Sequence, residues 1–325
     1  MRHFNYARHL AGVFILLLAA CSTPQTKALR MAAPAGLPLH AELSQVKYYP
    51  QDAYQCGPAS LAMLMHHEKI NATPDQLKDF LYLPDKQGSL QVEMLATARR
   101  YGLLAYVLRP ELADVLTELA AGNPVIVLQN LGLSWYPLWH YAVVIGYDLN
   151  KEELILRSGS NERLVMPLTT FEHTWARSQY WAMLALPPER LPQTAIAENL
   201  IPSIAALEFT SPKTDTWPAY TAAMQRWPNN LLVSIATGNR AYNQGKLALA
   251  EQLFKQVTQD HPASAAAFNN LAQTQSDQGK YKEALENIHR ALEIGGPLMS
   301  IMQKTLLEIE QKKSTIPDEA VIIRQ

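Results

Sequence analysis

The chain contains two cysteines, Cys21 and Cys56, and each stands in a sequence context that suggests a different chemistry. Cys56 opens the run CGPASLAMLM, in which a Gly-Pro pair precedes good helix formers. A thiol at the start of a helix lies near unpaired backbone N–H groups and the positive end of the macrodipole, which stabilise a thiolate. Cys56 is therefore a candidate nucleophile. The alternative is a buried cysteine at the start of a core helix.

A histidine suited to act with this thiol lies much farther along the chain. His140 begins the β-rich run HYAVVIGY. A strand would hold the imidazole on a sheet, where a thiol on a helix can face it, as nucleophilic thiol catalysis requires. His140 would accept the thiol proton, leaving a thiolate–imidazolium pair near neutral pH, and would later protonate the leaving amine. This chemistry needs no metal or organic cofactor.

The other cysteine follows a short apolar segment near the start of the chain. Residues 10–20 form an uninterrupted apolar run, which is too short to cross a bilayer as a helix, since about 20 residues are needed. The sequence LAACS around Cys21 resembles the lipobox of bacterial lipoproteins. This resemblance implies that residues 1–20 are a signal peptide and that Cys21 is lipidated. An ordinary secretory signal with an incidental cysteine is the alternative.

The lipobox also implies a location. In lipoproteins an Asp after the cysteine favours retention in the inner membrane, and here Ser22 takes that place. We therefore expect the chain in the bacterial cell envelope, anchored by lipid to the outer membrane and facing the periplasm. Acylation of Cys21 would leave Cys56 without a disulfide partner in the same chain.

The composition narrows the classes of function further. The chain is 48% hydrophobic and 18% charged, which is typical of a globular protein. Its 28 basic and 29 acidic residues give a formal charge of −1, so it lacks the positive charge of a general nucleic-acid binder. Two cysteines are too few for a disulfide-rich scaffold or a cysteine-clustered metal site.

The mature chain divides into segments of different pattern. Residues 21–45, rich in Ala, Pro and Thr, predict the lipidated cysteine and a flexible tether. Residues 46–186 predict an α+β domain in which helices come first and strands later, which favours helices packed on an antiparallel sheet. Helices are predicted at 57–68, 74–81, 91–101 and 111–121, and strands at 124–129, 141–147, 153–157 and 180–186.

A repeat with a fixed period follows residues 187–213, whose prolines predict a linker. The interval from Pro228 to Pro262 equals the interval from Gly245 to Gly279. This interval resembles the period of the tetratricopeptide repeat, a pair of packed helices that recurs every ~34 residues. A generic pair of helical hairpins is the alternative.

The repeat resemblance implies an all-α domain over residues 214–312 that binds a protein partner or positions a substrate. Phe254 and Ile288 are expected to fill the gaps between its helices. Two repeats bury too little apolar surface to be stable alone, so we expect further helices on both sides. The remaining segments are then flanking helices at 217–227 and 297–311 and a tail at 313–325.

The residues around Cys56 and His140 together resemble the papain-like bacteriocin-processing peptidases, also called double-glycine leader peptidases. The shared signature is a Gln before Cys-Gly-Pro-Ala-Ser, then a His-Tyr pair, a Val-rich strand and Gly-Tyr, and it covers about residues 46–186. It implies a papain-like cysteine peptidase in which the amide of Gln51 and the backbone N–H of Cys56 form an oxyanion hole. Gln55, adjacent to the nucleophile, is the rival donor.

The sequence departs from this family at the residue that orients the histidine. The family uses an Asp on the next strand, whereas Ser158 stands at about that place here. A serine can accept an N–H hydrogen bond but supplies no negative charge, so it would stabilise an imidazolium less. Asp148 and Asn161 are the other candidates for this role.

Two further groups of residues have alternative interpretations. His66, His67 and Glu68 are consecutive, and neighbours on a helix point about 100° apart, so we predict a polar helix end and no metal site. The aromatic residues before His140 either line a substrate cleft or pack in the core. They are Trp135, Tyr136 and Trp139.

The sequence thus predicts a lipid-anchored cysteine peptidase that cleaves peptides or proteins in the cell envelope. It would contact the membrane through its lipid and a protein partner through its repeats. Two alternatives remain: a catalytically weak or inactive scaffold for envelope or secretion partners, which the absent acidic residue favours, and a thioester-forming acyl transferase or amidase.

Overall fold

A computed structural model describes residues 23–51, 55–86 and 88–315 of the chain. The predicted signal peptide, Cys21 and most of the predicted tail lie outside the described residues. The chain divides into two compact units, residues 1–214 and residues 215–325. The predicted order of an α+β domain followed by an all-helical domain is confirmed.

The first unit is built on one antiparallel sheet of seven strands. The strands are β1 His40–Glu42, β2 Leu104–Val107, β3 Val125–Asn130, β4 Trp139–Asp148, β5 Glu153–Ser158, β6 Asn161–Pro167 and β7 Ala182–Leu186. Their order is β2-β7-β3-β4-β5-β6, and β1 pairs with the end of β4. β4 is central and buried from Tyr141 to Tyr147, so its hydrophobic run reads as continuous rather than alternating.

Seven helices of the described residues belong to this unit. They are α1 Pro24–Met31, α2 Cys56–His67, α3 Pro74–Leu81, α4 Gln91–Arg100, α5 Leu112–Ala120, α6 Leu168–Ala176 and α7 Ala197–Thr210, and Pro84–Lys86 forms one 3₁₀ turn. Residues 57–65 of α2 are all buried. A helix that is apolar on every side must be enclosed, and α2 packs against β4 and is surrounded by its neighbours. Packing of α2 against the sheet and the neighbouring helices therefore fixes the position of its first residue, Cys56.

The structure corrects the prediction of a flexible tether over residues 21–45. From residue 23 onward the segment folds onto the first unit, as helix α1 and strand β1. Glu172 on α6 accepts hydrogen bonds from the backbone N–H of Gln25 at 2.9 Å and of Thr26 at 2.6 Å. These N–H groups have no partner within α1, so a remote carboxylate caps the helix. Local composition misses this contact because its partner lies 146 residues away.

The predicted linker over residues 187–213 is also corrected. It contains α7, which buries Leu200, Ile204 and Leu207 and packs against β2 and α4 of the first unit. Pro202 lies inside this helix. A proline there removes one backbone hydrogen bond, but burial of the apolar face of α7 outweighs that loss. The prolines alone therefore predicted that the first domain ends at residue 186, whereas the first unit extends to residue 214.

Replacing Glu172 by glutamine is expected to release α1. The substitution keeps the size of the side chain but removes the charge that caps the helix, and a hydrogen bond to a charged group contributes about 1.5–3 kcal/mol. We expect faster tryptic cleavage after the exposed Lys27, measured by mass spectrometry of limited digests. Glu152→Gln is the matched control, because its ion pair with Arg30 of α1 is solvent-exposed and contributes little. Equal cleavage rates in both variants would contradict a capping role.

The second unit is all-helical. Its helices are α8 Trp217–Arg226, α9 Leu231–Asn243, α10 Leu247–Asp260, α11 Ala265–Asp277, α12 Tyr281–Ile294 and α13 Met299–Ser314. α9–α10 and α11–α12 form two hairpins, and the sequence period reappears in their caps. The side chains of Asn230 and Ser264 each accept a hydrogen bond from the backbone N–H three residues later. α8 and α13 correspond to the predicted flanking helices.

Close packing within the first hairpin depends on a glycine. A β-carbon at Gly238 of α9 would lie 2.5 Å from the ring of Phe254 of α10. No larger residue fits there without moving the ring. Phe254 and Ile288 are both buried, in the first and second hairpin respectively. They fill the interhelical gaps that the repeat pattern assigns to them.

A buried carboxylate links the two hairpins. Glu251 of α10 lies 2.8 Å from Lys255 and 2.5 Å from Lys280. Burial raises the pKa of Glu251, but hydrogen bonds from Lys255 and Lys280 outweigh it and hold the pKa at about 2, against an ordinary 4.5. A carboxyl whose folded pKa is depressed stabilises the fold above its unfolded pKa, so this stabilisation is lost as the pH falls from 4.5 to 2.

Replacing Glu251 by glutamine is expected to lower the free energy of unfolding of the helical unit by about 1–3 kcal/mol at neutral pH. It should also remove most of the loss of stability between pH 4.5 and 2. Hydrogen exchange of amides in α10 and α11, followed by mass spectrometry, reports this unit alone. The control is Glu293→Gln, whose pair with Arg290 is exposed. Unchanged protection in Glu251→Gln would show that the lysine pairs are not stabilising.

Candidate active site

Cys56 is the first residue of α2, and its free thiol is partly exposed. Burial raises the pKa of Cys56, and backbone N–H groups of Tyr141, Gly57 and Cys56 itself partly oppose this by lowering it. Two of these groups belong to the start of α2, as expected for a thiol at a helix N-terminus. The third belongs to β4, in the residue directly after His140. The thiol therefore lies against the strand that carries the histidine.

His140 is held by the strand next to its own. It is the second residue of β4, and its Nε2 lies 2.9 Å from the Oγ of Ser158, the last residue of β5. When Nε2 carries the proton it donates to this hydroxyl, and Nδ1 is then free to act as a base. Burial lowers the pKa of His140 below its ordinary 6.5. The imidazole is therefore positioned by a neutral partner.

Of the three candidates for orienting His140, the structure brings Ser158 to the ring. Asp148 lies at the opposite end of β4, where its Oδ1 accepts hydrogen bonds from the backbone N–H groups of Asn150 and Lys151. Asn161 is exposed and pairs with Ser158 across the turn between β5 and β6.

Burial acts against the thiolate–imidazolium pair that the sequence suggests. A thiolate–imidazolium pair at neutral pH requires a lowered cysteine pKa and a raised histidine pKa. Burial shifts both in the opposite direction, because an apolar environment disfavours the charged form of each group. Burial therefore favours the neutral form of the thiol and of the imidazole. The helix start and the N–H of Tyr141 reduce the cost of ionising the thiol but do not remove it.

Gln51 lies close to both parts of this site. Its Nε2 donates to the Oγ of Ser60 at 3.4 Å, and Ser60 lies one helical turn after Cys56, on the same face of α2. Its Oε1 accepts from the backbone N–H of Gly159 at 3.0 Å, and its own N–H donates to the Gly159 carbonyl at 3.2 Å. The rival donor Gln55 is half-buried and precedes α2 as its N-cap, without a capping bond from its side chain.

Several supporting contacts have no signal in the sequence. The Tyr48 hydroxyl donates to the Gly159 carbonyl at 2.9 Å and so helps to hold the turn after Ser158. A β-carbon at Gly57 would lie 2.3 Å from the Ser89 Oγ, so only glycine lets residue 89 approach behind the thiol. The Tyr141 hydroxyl donates to the Ser89 carbonyl at 3.2 Å. These residues come from distant parts of the chain, which a local motif does not connect.

The aromatic residues before His140 lie at the surface. Trp135 and Tyr136 are each 80% exposed and Trp139 is 51% exposed. The interpretation of these side chains as core residues is therefore wrong. Trp135 and Tyr136 belong to the loop between β3 and β4, and Trp139 is the first residue of β4, directly before His140.

His67 and Glu68, at the end of α2, make structural contacts. The Nε2 of His67 lies 3.1 Å from the Gly122 carbonyl, and Glu68 forms an ion pair with Arg190 at 3.0 Å. Across residues 23–51, 55–86 and 88–315, no group of three His, Cys, Asp or Glu side chains is arranged to hold a metal ion. Within the same residues, no helix is both long enough and apolar enough to cross a bilayer.

Replacing Ser158 by alanine is expected to lower kcat about 10-fold with little change in KM, because one hydrogen bond that positions the imidazole is lost. Ser158→Asp would place a negative charge beside His140 and raise its pKa. The acidic limb of the pH–rate profile should then move to higher pH. Ser160→Ala, an exposed serine in the same turn, is the control. An acidic limb unmoved in Ser158→Asp would contradict the contact with His140.

A known protein family matches a part of each unit. The model of the Peptidase_C39 like family matches residues 43–183, and that of a tetratricopeptide repeat family matches residues 241–296. No curated protein gave a significant match. One similar solved structure is a putative C39-like peptidase from Bacillus anthracis, with 18% identity and a TM-score of 0.39, covering 45% of this chain and 97% of that one.

A second similar structure is the peptidase domain of Streptococcus ComA, a bifunctional ABC transporter involved in a quorum-sensing pathway. Its identity is 25% and its TM-score 0.38, and the match covers 44% of this chain and 99% of that one. The two family matches confirm the resemblances inferred from the motifs around Cys56 and His140 and from the period of the helical repeat. The chain therefore carries a C39-like peptidase domain followed by tetratricopeptide repeats.

Proposed function

We propose that this protein is a cysteine peptidase that cleaves peptides or proteins in the cell envelope. The observation that carries the proposal is the hydrogen bond to the Cys56 thiol from the backbone N–H of Tyr141 in β4, the residue directly after His140, whose ring is held by Ser158. A partly exposed thiol at a helix start and a positioned imidazole on the adjoining strand are the two groups that nucleophilic thiol catalysis needs. The match to the C39-like peptidase family supports the same reaction class.

In this mechanism His140 acts as a general base at the moment of attack. As the Cys56 sulfur approaches the substrate carbonyl carbon, the proton moves from sulfur to the imidazole, and the S–C bond forms. The imidazolium then gives this proton to the leaving amine, and the C–N bond breaks to leave a thioester. Water, deprotonated by His140, attacks the thioester and releases the carboxylic acid and the thiol.

The negative charge that develops on the carbonyl oxygen needs donors close to Cys56. The backbone N–H of Cys56 is one, since it lies at the start of α2 and has no partner within the helix. The amide of Gln51 is the second in our proposal, because it reaches Ser60 one turn along the same helix face. Its oxygen is fixed by Gly159, which leaves the Nε2 group facing α2. Such preorganised donors stabilise the transition state without reorienting.

We further propose that Cys21 is lipidated and holds the domain at the outer membrane, facing the periplasm. The motif LAACS after the apolar run of residues 10–20 supports this. The repeats would bind a protein partner or a substrate. Intact mass measurement of protein from membranes tests the anchor: a mature chain starting at an acylated Cys21 is expected, and an unmodified cysteine would overturn it.

The neutral Ser158 supports one alternative, a catalytically weak protein that acts mainly as a scaffold for envelope or secretion partners. Without a carboxylate beside it, the imidazolium formed during catalysis is less stabilised than in a Cys-His-Asp site. The two functions differ in turnover, because a scaffold needs none.

The experiment that separates these functions offers the purified full chain a library of fluorogenic peptides and, in parallel, muropeptides. A peptidyl vinyl sulfone is added in a second arm, and the labelled residue is mapped by mass spectrometry. A peptidase is expected to cleave a subset of peptides and to be labelled at Cys56. Cleavage of muropeptides alone would assign an amidase. No cleavage, with labelling no faster than that of the unfolded chain, would leave the scaffold.

A further inference from the structure

The loop between β3 and β4 presents an unusual surface. This apolar loop, taken here as residues 131–138 together with Trp139, the first residue of β4, has the sequence LGLSWYPLW, which contains no charged residue. Its exposed side chains are Leu131, Leu133, Trp135, Tyr136, Leu138 and Trp139. A contiguous apolar patch of this kind on a protein surface usually marks an interaction site.

The apolar loop has a defined conformation. The buried Asn130 accepts hydrogen bonds through its Oδ1 from the backbone N–H of Gly132 at 3.0 Å and of Leu138 at 2.9 Å. Leu133 and Tyr136 exchange two backbone hydrogen bonds of 3.1 Å. Because the backbone is fixed in this way, the aromatic side chains are held pointing away from the domain.

The start of α1 and the apolar loop both contact helix α6. Arg177, at the end of α6, donates to the Gly132 carbonyl of the loop at 2.6 Å. Glu172, five residues earlier on α6, binds the first turn of α1 through Gln25 and Thr26. Five helical residues correspond to about 7.5 Å. Gln25 also donates to the Pro110 carbonyl at 3.0 Å, next to the strand end of β2.

Cys21 lies outside the described residues, but only a short stretch of chain separates it from α1. It precedes Pro24, the first residue of α1, by three positions. A chain of three residues spans at most about 11 Å even when fully extended. Acyl chains attached to Cys21 would thus enter a bilayer within a short distance of the start of α1. The hydrogen bonds from α1 to Glu172 hold this start on α6, the helix that also binds the loop through Arg177.

We propose that the apolar loop rests in the interfacial layer of the bilayer to which Cys21 is anchored. The proposal builds on the lipid anchor of the proposed function. Trp and Tyr favour this layer because each ring has an apolar body and a polar group that can reach water and headgroups. Leucine side chains beside them would enter the acyl boundary, and the absence of charge removes the main cost of insertion. The occupant of the patch is then lipid and not a polypeptide.

Tryptophan fluorescence in vesicles tests this directly. The full chain, purified with its lipid, is reconstituted into vesicles of phosphatidylethanolamine and phosphatidylglycerol, with or without acyl chains brominated near the headgroup. Bromine quenches only indoles that touch the bilayer. The four other tryptophans are buried or half-buried. We expect quenching in the wild type and its loss in Trp135→Phe/Trp139→Phe.

Two variants keep the reporters and change the surface. Leu133→Ser/Leu138→Ser is expected to reduce quenching, since it removes apolar groups from the loop. Phe209→Trp places an indole at a 90% exposed site on α7 and should add unquenched emission. Peptide hydrolysis in detergent and the mass of the acylated Cys21 are measured on the same preparations, so that a failed peptidase or a failed anchor is recognised separately.

The outcomes are distinct. Protein that sediments with the vesicles but shows no quenching would overturn the proposal, and a rise in KM for peptides in Leu133→Ser/Leu138→Ser would then assign the loop to substrate. Equal quenching of the indole at position 209 would also overturn it, because the domain would then lie on the membrane without using the loop. Protein that fails to sediment would overturn both the anchor and the loop contact.

Discussion

Cys56→Ala is expected to abolish peptide hydrolysis, with kcat reduced by about 10⁴-fold or more, as for other nucleophiles removed from a catalytic unit. No other cysteine lies in residues 23–51, 55–86 and 88–315, so no second thiol of the described chain can form the thioester. Alanine keeps the helix propensity of α2, and the partly exposed thiol makes a small contribution to the core. Activity should thus fall while the fold is retained.

Turnover of the best fluorogenic peptide and far-ultraviolet circular dichroism, measured on the same sample, check this result. Cys56→Ser is a useful companion, because it retains a hydroxyl of similar size and should be nearly as inactive at neutral pH. Residual hydrolysis above about one hundredth of the wild-type rate in Cys56→Ala, with full secondary structure, would show that another group performs the attack.

His140→Ala is expected to reduce kcat by about 10²–10⁴-fold, the usual contribution of a general base. The same variant should hardly change the rate at which iodoacetamide alkylates Cys56. Burial raises the pKa of Cys56 and lowers the pKa of His140, so the resting thiol does not depend on a preformed ion pair. Loss of turnover without loss of alkylation therefore identifies His140 as a base that acts only during attack.

Alkylation of Cys56 and peptide turnover are expected to depend differently on pH. In the wild type, alkylation should keep rising from about pH 6 to pH 9, because the neutral thiol must lose its proton to react. Turnover should decline only below about pH 6.5, where an unperturbed histidine becomes protonated, and the lowered pKa of His140 places its loss at still lower pH. His40→Ala, an exposed histidine in β1, is the control. Fast alkylation that is independent of pH across the mildly acidic range and vanishes in His140→Ala would instead reveal an ion pair.

The elements around the site were predictable where the sequence pattern is local. α2 has good helix formers and an apolar run after its Gly-Pro pair, and β4 is a Val-rich strand, so both were expected within a few residues of their bounds. The short strand β2 and the exposed edge strand β6 were not, because LAYV and NERLVMP show no clear alternation. α7 was hidden by its prolines, whose local effect is outweighed by the burial of one face.

The site itself was predictable in its residues and less so in its contacts. Cys56, Gln51 and His140 stand out by type and spacing, and Ser158 was one of three candidates for the partner of His140. The register between β4 and β5 decides among them, and a register set by long-range pairing is not visible in a local pattern. A helix start favours a low thiol pKa, whereas the burial that raises the pKa of Cys56 depends on the whole fold and is not visible in the motif.

The turn that follows β5 couples the position of Gln51 to that of the His140 ring. Gly159 bonds to Gln51 on one side and continues directly from Ser158, which touches His140, on the other. Movement of this turn would displace the Gln51 amide and the Ser158 hydroxyl together. A deletion or an insertion there should therefore abolish the proposed hydrolysis. Laboratory evolution of activity would therefore leave the length of this turn unchanged and alter residues elsewhere in the domain instead.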